Sequence, residues 1–412
     1  MTLSRREFAG AASLAAGSLL TASRNDASAQ ESRSGARAIP DVIKALKPLP
    51  GAPPAITDDE RRARIEKARR LMVENGMGAI VLEPGTSMTH FTDTRWGLSE
   101  RPFLLVIPAK GDLAFVTPGF EENRAREVTK FTNDIRVWQE DEDACAVVAS
   151  ILKDRGVSSG RVGIEERVRF FIADGLREAA PQVDWRLATP VTAGCRMFKS
   201  KAEIALMQHA NDITIAAYKA GLATLHEGMT QGDLRDNITA AFTALGAAGG
   251  IAVSFGEYTA FPHGSIVPQR LKSGDVVQID NGVNFLGYQS DITRTVVFGK
   301  PTKRQVDVWN LEKKAQAAAF AAAQVGATCE SVDAAARKVI EDAGFGPGYK
   351  VPGLPHRTGH GIGMDGHEWT YFVRGNTTKL RPGMCFSDEP GIYIYGEIGI
   401  RQRLQEFPRL RP

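Results

Sequence analysis

Two aspartates fall at matching positions of a predicted β-hairpin. The β-prone run 276–280 ends in Asp280, and a second run, 290–295, contains Asp291. A turn centred between residues 285 and 286 would set Asp280 opposite Asp291, with the two side chains roughly 5 Å apart on one face. Carboxylates this close repel each other unless a cation lies between them. The spacing therefore indicates a metal site, although two solvated turn residues remain the alternative for this pair alone.

Histidines in segments marked by glycine and proline strengthen the metal interpretation. His360 stands between two glycines in a stretch that we predict to be a loop, where the backbone can approach a ligand closely. His356 and His367 flank it, and His263 follows a proline and precedes a glycine. Glu389 precedes a proline in an apolar stretch. One such histidine would be taken as a structural or surface residue, but four of them favour a chemical role.

Taken together, these segments resemble the pita-bread metallopeptidases, a family that includes aminopeptidase P, prolidase, methionine aminopeptidase and the metal-free creatinase. The resemblance covers nearly the whole chain after its first residues, is closest over 190–401, and points to the Xaa-Pro peptidase branch. The order and spacing of the matching segments carry it. They are residues 278–282, 290–295, 358–363, 367–368 and 389–393.

The resemblance implies a site for two divalent metal ions. Asp280 and Asp291 would hold one ion, while Asp291, His360 and Glu389 would hold the other, so that Asp291 bridges the pair. Oxygen-rich ligation with one imidazole favours manganese, with cobalt, iron or zinc as alternatives. A creatinase-type, metal-free site fits less well because this chain retains four of the ligand positions.

The resemblance also implies the reaction and the residues that serve it. The expected activity is hydrolysis of an Xaa-Pro bond at the amino terminus of a short peptide. Glu389 would pass a proton to the leaving amine, and His263 and His367 would bind the substrate and stabilise the oxyanion. His356 and Arg401 are the other expected substrate-binding residues. Dipeptidase and aminopeptidase remain open.

The chain departs from the family pattern at residue 403. A glutamate that bridges both ions is expected there, but the chain has Arg403, which cannot ligate a metal and brings positive charge. Glu406 is no simple substitute because three residues along a strand span about 10 Å and end on the opposite face. We therefore expect this chain to bind one ion or none and to be slow or inactive.

Two other functions are compatible with the same scaffold. One is a lyase of the dimethylsulfoniopropionate type, which would have an extra aspartate two residues after the first metal aspartate, where this chain has Gly282. The other is a non-catalytic binding protein that keeps the fold without the bridging glutamate.

The order of predicted helices and strands that must position these residues indicates an α/β (α+β) fold in two domains. Residues 57–190 form a creatinase-like N-terminal α/β domain that begins with a helix capped by Thr57, and residues 191–402 form the pita-bread catalytic domain. A proline-rich tether, 30–56, precedes them, and 189–191 is a predicted connector. The tail 403–412 is predicted to be a poor strand, and we expect it to be vector-derived.

The first 29 residues predict export. Arg5 and Arg6 precede a short apolar stretch, 9–22, and a small-residue cleavage site at 27–29. This pattern is typical of a twin-arginine signal and implies a periplasmic or secreted enzyme.

The composition of the chain restricts the classes of molecule that we expect it to bind. The 412 residues carry a net charge of +3, which favours neither nucleic acid nor an anionic membrane. The four cysteines are too widely spaced for a metal-binding or redox pair. No apolar run suggests a membrane anchor in the mature chain. Short proline-containing peptides are the implied partners, and a homodimer formed through the N-terminal domain is the implied assembly.

Overall fold

The computed structural model describes residues 38–406, with the side chains of 404–406 left out. The predicted signal peptide, the first part of the tether and residues 407–412 lie outside the described residues. No helix within the described part of the chain is long and apolar enough to cross a bilayer.

The N-terminal domain is a six-stranded mixed sheet with helices on both faces. Strand β2 is continuously apolar and fully buried, as expected for a strand covered on both sides. The strand order is β4-β3-β2-β1-β5-β6. The strands are β1 (Met77–Leu82), β2 (Leu104–Pro108), β3 (Ala114–Pro118), β4 (Ile135–Trp138), β5 (Gly160–Ile164) and β6 (Val183–Leu187).

From residue 38 onward, where the described chain begins, seven α-helices accompany this sheet or lead into it. The predicted cap of the first long helix is confirmed, because the Thr57 hydroxyl accepts a hydrogen bond from the backbone N–H of Glu60 at 3.2 Å. A 3₁₀ turn at Gly119–Glu121 is the other helical segment. The helices are α1 (Asp41–Lys44), α2 (Asp58–Glu74), α3 (Thr86–Thr92), α4 (Glu122–Val128), α5 (Ala144–Asp154), α6 (Phe170–Ala179) and α7 (Thr189–Arg196).

Two segments differ from their predicted structure. The described part of the tether contains helix α1, whose Ile43 is buried in the core of the second domain. The connector 189–191 is instead the first turn of α7, and the prediction was wrong there because Pro190 sits at the start of a helix, where its missing N–H costs nothing.

The described part of the second domain has four helices packed against three sheets. A 3₁₀ turn at Gly256–Ala260 follows its first strand. The sheets have the orders β10-β8-β7, with β9 paired to β8, then β12-β11-β13-β16, and the pair β14-β15. The elements are α8 (Lys201–Leu222), α9 (Gln231–Ala244), β7 (Ala248–Phe255), β8 (Val276–Phe285), β9 (Tyr288–Gln289), β10 (Arg294–Val297), α10 (Lys303–Ala322), α11 (Cys329–Asp342), β11 (Gly359–Gly361), β12 (Glu368–Phe372), β13 (Phe386–Asp388), β14 (Gly391–Ile394), β15 (Ile398–Arg401) and β16 (Leu404–Glu406).

The predicted aspartate hairpin exists, but its register was wrong by two residues. Arg294 pairs with Ile279, which brings Thr293 rather than Asp291 to Asp280. The turn lies at Leu286 and Gly287, whose φ values of 48° and 93° suit a tight hairpin turn. A shift of two residues keeps each side chain on its face, so both aspartates still point to the same side.

Strand β11 carries His360, where the sequence predicted a loop. Its glycines permit close strand packing: a Cβ on Gly359 would collide with the Ser387 carbonyl oxygen, and one on Gly361 would lie 2.6 Å from the Trp369 carbonyl oxygen. The prediction was wrong because the glycines serve approach between strands rather than approach to a ligand.

Residues Leu404–Glu406 form strand β16 on the edge of β13, so the prediction of a poor strand was wrong for this part of the tail. The free edge of β13 supplies backbone partners, and both prolines of the tail, Pro408 and Pro412, come after the strand.

A buried ion cluster joins the two domains. Glu368 accepts hydrogen bonds from Arg196 at 2.5 Å and from Lys199 at 2.9 Å. Burial alone would raise the pKa of Glu368, but the charges of Lys199 and Arg196 lower it to about 2. The carboxylate therefore stays ionised between its two cations.

Removing this carboxylate tests its contribution to stability. Glu368→Ala leaves Lys199 without its buried counter-ion, and breaking a buried pair costs about 3–5 kcal/mol. We expect a loss of this size in the free energy of unfolding, measured by urea denaturation. Glu397→Ala is the matched control, because Glu397 pairs with Arg304 at the surface and should cost less than about 1 kcal/mol. Equal losses would contradict a stabilising role for the cluster.

Candidate metal centre

Four side chains from distant segments converge in the second domain. Asp280 lies on β8, Asp291 follows β9, His360 lies on β11 and Glu389 follows β13. All four are buried, with His360 only 1% exposed. The structure thus brings together the four residues proposed as metal ligands.

The imidazole of His360 is oriented as a metal ligand would be. Its Nδ1 lies 3.0 Å from the Gly361 carbonyl oxygen, which can only accept, so Nδ1 carries the proton and Nε2 has a free lone pair. Nε2 lies 2.9 Å from Glu389 Oε1 and 3.6 Å from Asp291 Oδ2, and it has no hydrogen-bond partner among the described residues. An imidazole nitrogen that faces carboxylate oxygens and has no donor of its own suits a cation, so these residues fit a divalent metal.

Glu389 is held by its neighbours on the sheet. The Ser387 hydroxyl donates to Glu389 Oε1 at 2.9 Å and accepts the backbone N–H of His360 at 3.0 Å. The backbone N–H of Glu389 donates to the Thr358 carbonyl oxygen at 2.9 Å. The carboxylate and the imidazole are therefore positioned by the same strand pair.

Asp280 is already engaged by protein groups. Thr293 donates its hydroxyl proton to Asp280, and Arg401 donates to Asp280 Oδ2 at 2.5 Å. Burial alone would raise the pKa of Asp280, but the charges of Arg401 and Arg403 hold it below its ordinary value. Arg401, expected to bind substrate, thus contacts a carboxylate of the centre.

Arg403 occupies the middle of the carboxylates. Its Nε donates to Glu389 Oε2 at 2.5 Å, its Nη1 lies 3.3 Å from Asp280 Oδ1, and its guanidinium also contacts Asp291. Its backbone N–H donates to the Thr293 carbonyl oxygen at 3.2 Å, which ties residue 403 to the aspartate hairpin. A cation supplied by the chain therefore sits where the resemblance implies a ligand to both metal ions.

The pKa values of the other two carboxyls differ because their surroundings differ. Burial raises the pKa of Asp291 to about 6, against the opposing charge of Arg403. Burial would also raise the pKa of Glu389, yet the charge of Arg403 holds it well below its ordinary range. Asp291 is consequently the carboxyl whose burial the neighbouring charges offset least.

The other three histidines that the sequence analysis assigned to the site lie in different surroundings. His367 is exposed and stacks on His360 with ring centroids 3.7 Å apart, and Asp291, His360 and His367 each offer a ligand atom within 4.8 Å of the others. His356 lies 3.1 Å from the Tyr393 hydroxyl. His263 is exposed in the loop after Gly256–Ala260, and no hydrogen bond or ion pair within the described chain joins it to the carboxylates. Its role at the oxyanion stays a prediction.

Sequence reasoning missed three supporting residues. Thr293 and Ser387 each lie two residues from a proposed ligand on the same strand face, so period-two spacing could have indicated them. Tyr393 carried no such signal, because its contact with His356 depends on the packing of distant segments.

Comparisons with known proteins identify the family of both domains. The chain matches the model of metallopeptidase family M24 over residues 205–403 and that of the creatinase/prolidase N-terminal domain over residues 64–198. An uncharacterised peptidase of Schizosaccharomyces pombe is 38% identical over 83% of this chain and 77% of its own length.

Two further relatives have more specific names. An Xaa-Pro dipeptidase of Lactobacillus delbrueckii subsp. lactis is 29% identical over 82% of this chain and 92% of its own. The match to the crystal structure of dipeptidase PepE from Mycobacterium ulcerans covers 87% of this chain and 98% of the PepE chain, with 30% identity and a TM-score of 0.79. With this fold, these buried acceptors and these matches, the chain belongs to metallopeptidase family M24 and has the creatinase/prolidase N-terminal domain.

Proposed function

We propose that the site hydrolyses the amino-terminal Xaa-Pro bond of short peptides in a metal-dependent reaction. The observation that carries this proposal is the buried, unpartnered Nε2 of His360, which faces the carboxylates of Asp291 and Glu389. The similarity to an Xaa-Pro dipeptidase supplies the substrate class.

Asp291 and His360 would hold the metal ion. Mixed carboxylate and imidazole ligation favours manganese, with cobalt, iron and zinc as alternatives. A bound divalent ion supplies a nucleophilic hydroxide at neutral pH and polarises the scissile carbonyl.

Glu389 and His367 would complete the chemistry. The low pKa of Glu389, which the charge of Arg403 maintains against burial, keeps it ionised and able to accept a proton and pass it to the leaving amine. Burial and the neighbouring His360 lower the pKa of His367 to about 4, so its exposed ring is neutral at pH 7 and can donate a hydrogen bond to substrate.

A binding protein without catalysis is the second candidate. Arg403 favours it, because a guanidinium bound to Glu389 competes with proton transfer by that carboxylate. No observation favours the lyase.

The reaction is tested with Gly-Pro and Ala-Pro-Pro in the presence of manganese, and Gly-Leu is the control substrate. We expect slow release of the residue before proline and none from Gly-Leu. Glu389→Gln should lower the rate by about 10²–10⁴-fold, the range for loss of a general acid–base group. Glu397→Gln, at an exposed surface site, is the matched control. Tight peptide binding without turnover would support the binding protein instead.

A pH dependence of stability is expected from His356. Burial lowers the pKa of His356 to about 4, although Glu389 opposes the shift, and its Nε2 accepts a hydrogen bond from the Tyr393 hydroxyl. The unfolded chain takes up this proton near pH 6.5, whereas the folded chain resists until about pH 4. The stability that the neutral ring contributes is therefore complete above pH 6.5 and is lost as the pH falls toward 4.

We thus expect His356→Asn to lose less free energy of unfolding than the unmodified chain between pH 7 and pH 4.5. Urea denaturation in a chelator measures this difference. His226→Asn, at an exposed histidine, should leave the pH slope unchanged. Identical slopes for all three proteins would contradict the assignment.

Export to the periplasm through a twin-arginine signal is part of the proposal, supported by Arg5, Arg6 and the stretch that follows. Replacing both arginines by lysine should keep the chain in the cytoplasmic fraction of a bacterial host, whereas Arg24→Lys should not. Fractionation and immunoblotting measure the distribution, and unchanged export of the double variant would refute the signal.

A further inference from the structure

Arg403 behaves as a built-in cation rather than as a misplaced surface residue. Its side chain is 6% exposed, and its guanidinium reaches all three carboxylates of the centre. Backbone pairing with Thr293 holds it there. A divalent ion between Asp280 and Asp291 would have to share this space with a fixed positive group, and the two cations would repel.

The Asp280 side of the centre is also compensated by Arg401. This second guanidinium donates to Asp280 Oδ2 at 2.5 Å and lies 3.9 Å from Glu389 Oε2. Asp280 therefore has a hydroxyl and two guanidinium groups around it, which leaves little affinity for a metal ion.

The opposite side of the centre remains open for a cation. His360 Nε2 is buried and unpartnered, and Asp291 Oδ2 lies 3.6 Å from it, on the side of the carboxylate away from the Arg403 contact. His367 stacks on His360 and offers a third ligand atom within 4.8 Å of both. With the carboxylates ionised, three negative and two positive charges leave one negative charge for the ion to neutralise.

We propose that Arg403 replaces one of the two metal ions, so that the centre takes a single divalent cation bound by Asp291, His360 and His367. This inference rests on the metal dependence of the proposed function and adds a ligand, His367, that the family resemblance assigns to substrate. Glu389, held by Arg403, is left as the proton carrier.

Metal stoichiometry tests the proposal without any activity measurement. The purified chain is stripped with a chelator and titrated with Mn²⁺ by calorimetry, and the bound metal is counted by mass spectrometry. We expect one ion per chain and two per chain for Arg403→Glu, which restores a carboxylate at that position. Two ions, or none, in the unmodified chain would overturn the proposal.

The role of His367 is tested by His367→Ala. Loss of a ligand should weaken Mn²⁺ binding by at least about tenfold, comparable to losses seen for groups that support metal ligands. His226→Ala is the matched control, because His226 is also exposed but lies outside the centre, and it should bind Mn²⁺ as the unmodified chain does. Unchanged affinity in His367→Ala would exclude His367 as a ligand.

Arg403→Gln keeps the proposal testable if Arg403→Glu does not fold. Without its internal cation, this variant should melt at a lower temperature than the unmodified chain in a chelator, and Mn²⁺ should raise its melting temperature more. Equal melting temperatures in the chelator would contradict the role of Arg403. One bound ion without Xaa-Pro hydrolysis would refute the proposed function but leave this inference intact.

Discussion

The burial of three carboxylates within reach of one another is the constraint on which the site depends. Asp280, Asp291 and Glu389 cannot all stay ionised in the interior without positive charge close by, because desolvation and mutual repulsion both oppose it. Here Arg401 and Arg403 supply two positive charges against three negative ones. The imidazole of His360 faces the carboxylates, where one negative charge remains uncompensated. The same imbalance that makes the centre costly to fold makes it attractive to a cation.

The strand pairing of the second domain brings these charged groups together. The aspartates come from one hairpin, while the imidazole and the glutamate come from segments about 70 to 110 residues further along the chain. Gly359 lets β11 pack closely enough against β13 for Ser387 to contact both His360 and Glu389. Rigidity of this kind matters because metal ligands must be held before the ion arrives.

The chain uses buried charge in two distinct ways. Between the domains, the carboxylates of Glu368 and Asp365 balance the charges of Arg196 and Lys199 through hydrogen bonds, and the consequence is a fixed domain contact. In the metal centre the charges are unequal and the imidazole Nε2 of His360 lacks a partner, which suits the binding of a cation. Because Arg403 neutralises part of the negative charge, the metal centre is closer to a balanced ion cluster than it would be without this residue.

Local sequence determined much of this protein: the Thr57 cap, the long helices, the shared face of Asp280 and Asp291, and the identity of His360 and Glu389 follow from spacing and residue type. The hairpin register, the strand at Gly359–Gly361 and the edge strand Leu404–Glu406 did not, because each depends on a backbone partner far away in the chain. Only the tertiary structure decided that Arg403 points inward onto three carboxylates, that His367 stacks on His360 and that His263 stays exposed. Side chains that meet across a hundred residues leave no local pattern, so their meeting is a property of packing alone.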